Sequence, residues 1–119
     1  PRPMPIIESF ADFALEEPRL YELMFLRRRD NVRVFPDDFA ARRSRAFDLI
    51  RDSVQREMDA GRMRRDNALE TGLTIWAHAH GLISMYTLGR FGSDRGAFRK
   101  LFTRSMKRLH HGLTEGESR

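Results

Sequence analysis

The sequence predicts an all-α domain of five to six helices, and three observations predict it. Apolar residues recur every three or four positions along most of the chain, which is the period of an α-helix. Prolines and glycines, which favour helix starts and helix ends, stand at the borders of these periodic segments. The third observation is size: 119 residues, 40% of them hydrophobic, can form one modest core. Residues 1–119 are therefore expected to be a single domain.

Composition excludes several classes of protein. The chain has no cysteine, so disulfides and thiolate metal sites are excluded, and a reducing compartment such as the cytoplasm is expected. His78 and His80 interrupt the most apolar stretch and Arg90 closes it, so no membrane span and no membrane partner are expected. The chain starts Pro-Arg-Pro-Met-Pro, without the pattern of a signal peptide, and we expect it to be a fragment of a longer protein.

The first two predicted helices lie on either side of Pro18. Apolar residues repeat at helical spacing over 6–14, directly after Pro5, which suits the first turn of a helix. Pro18 lacks an amide hydrogen and crowds the preceding turn, so it ends or kinks this helix. A second, shorter apolar stripe consists of Leu20, Tyr21, Met24 and Phe25. The three arginines at 27–29 then suit a helix C-terminus, where cations complement the helix dipole.

The clearest amphipathic helix is predicted over residues 37–61. Asp37 fits an N-cap and Gly61 fits the stop. Its inner face consists of Phe39, Ala46, Phe47, Ile50, Val54 and Met58. Its outer face mixes arginines with aspartates, which is typical of a solvated surface. Residues 32–35, which alternate weakly between apolar and polar, are left unassigned.

Two long helices are predicted in the last third of the chain. Asn67 and Glu70 have the spacing of a capping box, and the helix that they start runs to about Leu88. Ser93 or Asp94 caps the last helix, and Gly112 ends it.

The helix over residues 67–88 carries apolar residues on two neighbouring stripes that span most of its circumference. A domain of this size has little interior for a fully central helix, so a second copy is expected to cover one stripe. We expect a C2 homodimer in which the last two helices of each chain form a four-helix bundle. The predicted interface residues are Gly72, Ile75, Ala79, Leu82, Tyr86, Phe98, Leu101, Phe102, Ser105 and Leu109. The alternative is that both helices complete the core of one chain.

The other stripe is predicted to line a pocket for a small molecule. The large apolar residues on this side are more numerous than a tight small core needs, and an apolar pocket is the usual form of a ligand site. The predicted pocket residues are Phe13, Met24, Phe25, Phe47, Ile50, Val54, Met58, Trp76 and His80. The alternative is an ordinary core, because aromatic and methionine stripes at helical spacing are common there.

Metal binding, catalysis and direct nucleic-acid binding are disfavoured. His78 and His80 lie two positions apart, so they diverge on a helix and cannot hold one metal ion. No serine has the context of a nucleophile and no carboxylate lies on the inner faces, so no enzyme and no cofactor are expected. His80 is expected to be a hydrogen-bonded interior histidine. Two groups of basic residues could contact phosphates, but they lie at scattered helix edges among acidic residues, and neither group has an aromatic residue interleaved for base stacking: Arg42 and Arg43, and Arg62, Arg64 and Arg65.

Two stretches resemble a known family. Residues 13–25, Phe-Ala-Leu-Glu-Glu-Pro-Arg-Leu-Tyr-Glu-Leu-Met-Phe, resemble the segment that opens the C-terminal effector domain of TetR/AcrR-type transcriptional regulators. Residues 76–82, Trp-Ala-His-Ala-His-Gly-Leu, resemble the Trp-x-x-x-His-Gly-Leu motif in a later helix of that domain. The two motifs follow in the family's order, and the resemblance covers residues 6–113.

The resemblance implies a ligand-binding and dimerisation domain, with the last two long helices at the dimer interface and an apolar pocket among the earlier ones. In the family, ligand binding shifts these helices and releases operator DNA from an N-terminal helix-turn-helix domain, which we expect this chain to lack. We therefore predict a repressor domain that senses an apolar or amphipathic effector. The alternatives are a self-standing helical protein–protein interaction module without a pocket and a small enzyme that uses His80 as a base.

Overall fold

The computed structural model describes residues 4–27 and 31–114, and this part of the chain contains helices and no strands. The predicted all-α class is confirmed. The helices are α1 (Pro5–Glu16), α2 (Pro18–Tyr21), α3 (Asp37–Ala40), α4 (Arg45–Asp59), α5 (Ala68–Thr87) and α6 (Arg95–Thr114). A π-helical turn, Glu22–Leu26, continues α2. Within the described residues, no helix is both long enough and apolar enough to cross a bilayer.

Pro18 divides the first two helices as predicted. Pro5 occupies the first turn of α1, and Pro18 occupies the first turn of α2. Between them, Glu17 leaves the helical conformation, because a proline cannot continue the hydrogen-bond pattern of α1. The predicted helix end at residues 27–29 lies mostly outside the described residues.

The predicted long helix over residues 37–61 is wrong, because it is two helices. The short α3 ends at Ala40, and Arg42 has a φ of 59°, which no helix accommodates. Ser44 is the actual N-cap of α4: its hydroxyl accepts a hydrogen bond from the amide of Phe47 at 3.3 Å. Asp37 starts only α3.

The predicted starts of the last two helices are confirmed in atomic detail. Asn67 Oδ1 accepts a hydrogen bond from the amide of Glu70 at 2.9 Å, and α5 begins directly after it. Of the two candidates for α6, Asp94 makes the cap, since its Oδ1 accepts from the amide of Ala97 at 2.9 Å. The predicted end at Gly112 is wrong, because α6 continues through this glycine to Thr114.

The core forms around α5, which packs against α1, α4 and α6. Its most buried members are Ile7, Ala11, Tyr21, Phe47, Ile50, Val54, Met58, Ile75, Ala79, Ile83, Phe98, Phe102 and Met106. α4 packs closely against α5 at Gly72, where an added Cβ would lie 3.3 Å from Cζ of Phe47. The small residue therefore makes room for a helix of the same chain.

A buried polar cluster joins α1 to α6. The side chain of Glu8 is 0% exposed, and its Oε1 accepts hydrogen bonds from Arg99 Nη1 at 2.6 Å and from the hydroxyl of Thr103 at 2.9 Å. Arg99 also donates to Asp12 Oδ1 at 2.7 Å and to the carbonyl of Glu8 at 3.0 Å. Burial by itself lowers the pKa of Arg99, but its bonds to Asp12 and Glu8 outweigh burial and raise it. The guanidinium therefore holds two helices together as a permanent cation. The expectation that no carboxylate lies on an inner face is wrong at Glu8, which is buried because Arg99 supplies its counter-charge.

Candidate functional site

An open apolar pocket lies between α1, the π-helical turn and the start of α4. Its volume is about 370 Å³, within the usual range for small-molecule sites. The lining residues are Ile6, Ser9, Phe10, Phe13, Met24, Phe25, Ala46 and Leu49. Three of them, Phe13, Met24 and Phe25, belong to the predicted pocket set. None of the lining side chains is charged.

Local structure explains how these residues come together. On α1, Ile6, Phe10 and Phe13 are three or four residues apart and share one face. The hydroxyl of Ser9 donates to the carbonyl of Pro5 at 3.0 Å, so its hydrogen is already used. The break at Pro18 lets the chain turn back, and the π-helical turn then brings Met24 and Phe25 opposite α1. Sequence periodicity indicated the α1 face, whereas Ala46 and Leu49 join the lining only through the position of α4.

Trp76 lies behind the pocket rather than in its lining. Its ring makes edge-to-face contacts with Phe10 at 4.8 Å and with Phe25 at 5.3 Å between centroids. Phe10 and Phe25 also contact each other edge to face at 5.9 Å. The tryptophan of α5 therefore contacts two lining rings, one on α1 and one on the π-helical turn.

A partly buried hydrogen bond joins the two sequence motifs behind this wall. Tyr21 Oη lies 3.0 Å from Nδ1 of His80, and Trp76 and Phe25 contact these rings. Burial raises the pKa of Tyr21 and lowers the pKa of His80, because both charged forms lose hydration. Both groups are therefore neutral near pH 7, and the tautomer of the imidazole sets which of the two donates. The spacing of each motif predicts one helical face, but only the tertiary structure brings the two faces into contact.

The other predicted pocket residues occupy the core. Phe47, Ile50, Val54 and Met58 are all buried. Phe47 is covered by Phe39, which stacks on it at 4.7 Å. Ile50 and Val54 also border a second cleft beside the start of α1, but its volume is only about 70 Å³. That cleft holds a few water molecules at most.

The predicted dimer residues divide into two groups. Neighbouring elements of the same chain bury Gly72, Ile75, Ala79, Phe98 and Phe102, so these residues have almost no surface left for a second copy. The half-buried members are Leu82, Tyr86, Leu101, Ser105 and Leu109. The stripe of α5 that was predicted to pack against a second copy is therefore buried by α4 and α6 of the same chain.

A third face of α5 is exposed and uncharged. It carries Thr74, Ala77, Gly81, Met85 and Leu88, and a Cβ added at Gly81 would meet no atom within 4 Å. Beside this face, His78 Nε2 and the hydroxyl of Ser105 on α6 are 2.7 Å apart and hydrogen bonded. The sequence carried a signal for this face, since no Asp, Glu, Lys or Arg stands between Glu70 and Arg90. Neither of the two predicted stripes includes this face.

Among the described residues, no three His, Asp or Glu side chains lie close enough together to hold a metal ion. The family profile described as "Tetracyclin repressor-like, C-terminal domain" matches residues 5–109. This range contains both motifs and every residue that lines the pocket. No curated protein and no solved structure matches the chain.

Proposed function

The chain belongs to the tetracyclin repressor-like C-terminal domain family, and from this premise we propose that it is the effector-sensing and dimerising domain of a transcriptional repressor. Domains of this family typically bind effectors and dimerise, and they are regulatory rather than enzymatic. The observation that carries the proposal is the open apolar pocket whose wall rests on α5. We propose residues 1–119 as one such domain, with operator DNA read by a helix-turn-helix domain outside these residues.

The effector site of the proposal is the pocket between α1, the π-helical turn and α4. An effector seated there touches Phe10 and Phe25 directly. Both rings contact Trp76, and Tyr21, which directly precedes the π-helical turn, is hydrogen bonded to His80. Displacement of the turn therefore pushes on α5 at two points one helical turn apart. Coupling of this kind between two sites is typically worth about 1–3 kcal/mol.

The proposed dimer contact uses the exposed face of α5, with Ala77, Gly81 and Met85 at its centre. The half-buried residues of α6 that extend it are Leu101, Ser105 and Leu109. An exposed, uncharged helix face with a glycine at its centre suits close approach of a second helix, and a C2 axis is the commonest way to supply one. This contact keeps the predicted pairing of the last two helices but moves it to a different side of α5.

The molar mass in solution tests the dimer. Light scattering at micromolar concentration should give twice the chain mass of 14.0 kDa. Gly81→Arg should give the monomer mass with unchanged helical circular dichroism, because this position is open in the single chain. The matched control is Ile75→Arg, which should unfold the chain, since Ile75 is buried. A monomer mass for the unaltered chain would end the dimer proposal.

Binding of an uncharged fluorophore tests the pocket. N-phenyl-1-naphthylamine should bind, raise the melting temperature by mass action, and quench Trp76, the only tryptophan, by energy transfer. Phe10→Ala should weaken this binding because it removes a lining ring that also contacts Trp76. A helical interaction module without a pocket would show neither the thermal shift nor the quenching.

A further inference from the structure

We infer that the effector is an uncharged aromatic small molecule, which narrows the class of compound for the pocket and rests on the proposed function. The general proposal admits any apolar or amphipathic compound. Three features of the pocket narrow this class of compound: the chemistry of the lining, the arrangement of the rings and the exposure of the rim.

The lining contains no group that could neutralise a charged ligand. All eight side chains are uncharged, and seven of them present only carbon or sulfur atoms. The exception, Ser9, donates its hydroxyl hydrogen to Pro5. An ion that enters this pocket loses hydration without gaining a counter-charge. The ring faces attract a cation, but this attraction is weaker than the lost hydration.

The rings of the wall already form an edge-to-face cluster that another aromatic ring can join. Phe10, Phe25 and Trp76 meet one another at interplanar angles of 80°, 66° and 63°. Phe10 and Phe25 also line the pocket, next to Phe13 and the thioether of Met24. Edge-to-face rings and sulfur–ring contacts favour an aromatic ligand over a saturated one of equal size.

The rim of the pocket is exposed apolar surface. Met24 on the π-helical turn is 45% exposed, and Leu49 on α4 is 56% exposed. Both residues line the pocket from opposite sides, so a ligand between them covers both. These two rim side chains are apolar, so a polar substituent of the ligand between them would be hydrogen bonded to water.

The test uses four competitors that share one carbon skeleton or its saturated form. N-phenyl-1-naphthylamine is the bound reporter, and its displacement is measured with uncharged 1-naphthol, anionic 1-naphthoate, cationic 1-naphthylmethylamine and saturated decahydro-1-naphthol. We expect 1-naphthol to bind about tenfold or more tightly than either charged compound. We expect it to bind about two- to tenfold more tightly than the saturated alcohol. The net charge of +5 would by itself favour the anion, so weak binding of both ions isolates the desolvation penalty.

A charge placed at the rim provides the matched variant. Leu49→Arg should reduce the preference for 1-naphthol over 1-naphthoate, because the guanidinium supplies the missing counter-charge. Val34→Arg adds the same charge at a position of similar exposure outside the lining and should leave the preference unchanged. An unchanged preference in Leu49→Arg would place the probes elsewhere and overturn the inference.

The outcomes separate the two proposals. Equal binding of a charged and an uncharged competitor overturns the uncharged class, and equal binding of decahydro-1-naphthol overturns the aromatic class, while the pocket stands in both cases. Absence of binding by the reporter and all four competitors overturns the effector pocket itself, and the inference fails with it.

Discussion

Removal of the Arg99 guanidinium should destabilise the fold strongly, because this side chain joins α6 to α1. In Arg99→Met, the fully buried carboxylate of Glu8 loses its cation at 2.6 Å and keeps the hydrogen bond from the uncharged hydroxyl of Thr103. Breaking a buried ion pair on one side costs about 3–5 kcal/mol. The free energy of unfolding, from urea denaturation followed by circular dichroism at one fixed protein concentration, should fall by this amount.

Two matched variants identify the cause. Asp12→Asn alters the other carboxylate on the same guanidinium, but Asp12 is 41% exposed, so the loss should stay below about 1 kcal/mol. The double variant Glu8→Leu with Arg99→Met removes both buried charges and should recover most of the loss. If Arg99→Met costs no more than Asp12→Asn, the buried cluster does not hold α1 to α6 as described.

Three further predictions concern the motif contact and the packing of α5. Tyr21→Phe removes the hydroxyl that is hydrogen bonded to Nδ1 of His80 and should cost about 1–3 kcal/mol in urea unfolding; a loss below about 0.5 kcal/mol would contradict the hydrogen bond. Because burial depresses the pKa of His80 below its ordinary value of 6.5, the stability that it contributes is present above that pH and is lost as pH falls through its folded pKa. The melting temperature should therefore fall less on acidification in His80→Gln than in the unaltered chain, and equal falls would assign the pH dependence to other groups. Gly72→Leu should destabilise by about 1–3 kcal/mol because Phe47 fills the space, whereas Gly81→Ala should not destabilise the single chain; similar losses would refute the difference in packing.

Much of the fold could be read from local signals. Helical periodicity, the prolines at the starts of α1 and α2, and the caps at Asn67 and Asp94 act within a few residues, so the sequence shows them directly. The wrong prediction of one continuous helix over residues 37–61 also comes from relying on local signals. An apolar stripe continues across the break, but the cap at Ser44 and the positive φ of Arg42 interrupt the helix.

The candidate site was predictable only in part. Phe13, Met24 and Phe25 stand on short apolar stripes, and the structure places them in the pocket lining. Phe47 and Ile50 have the same chemistry but lie in the core. Periodicity indicates which side of a helix turns inward, but it does not distinguish the wall of a cavity from filled interior.

The sequence by itself determined the helical class, most helix boundaries and the family, because these depend on local spacing and on two short motifs. Only the tertiary structure decided which helix covers each side of α5. The small residue Gly72 admits α4 of the same chain, so the stripe containing Ile75 and Ala79 is already buried. Ala77 and Gly81 are left on the exposed side. The physical reason is that a helix with no charged residue over most of its length has no preferred outward face, and its neighbours in the packed chain decide which face remains exposed.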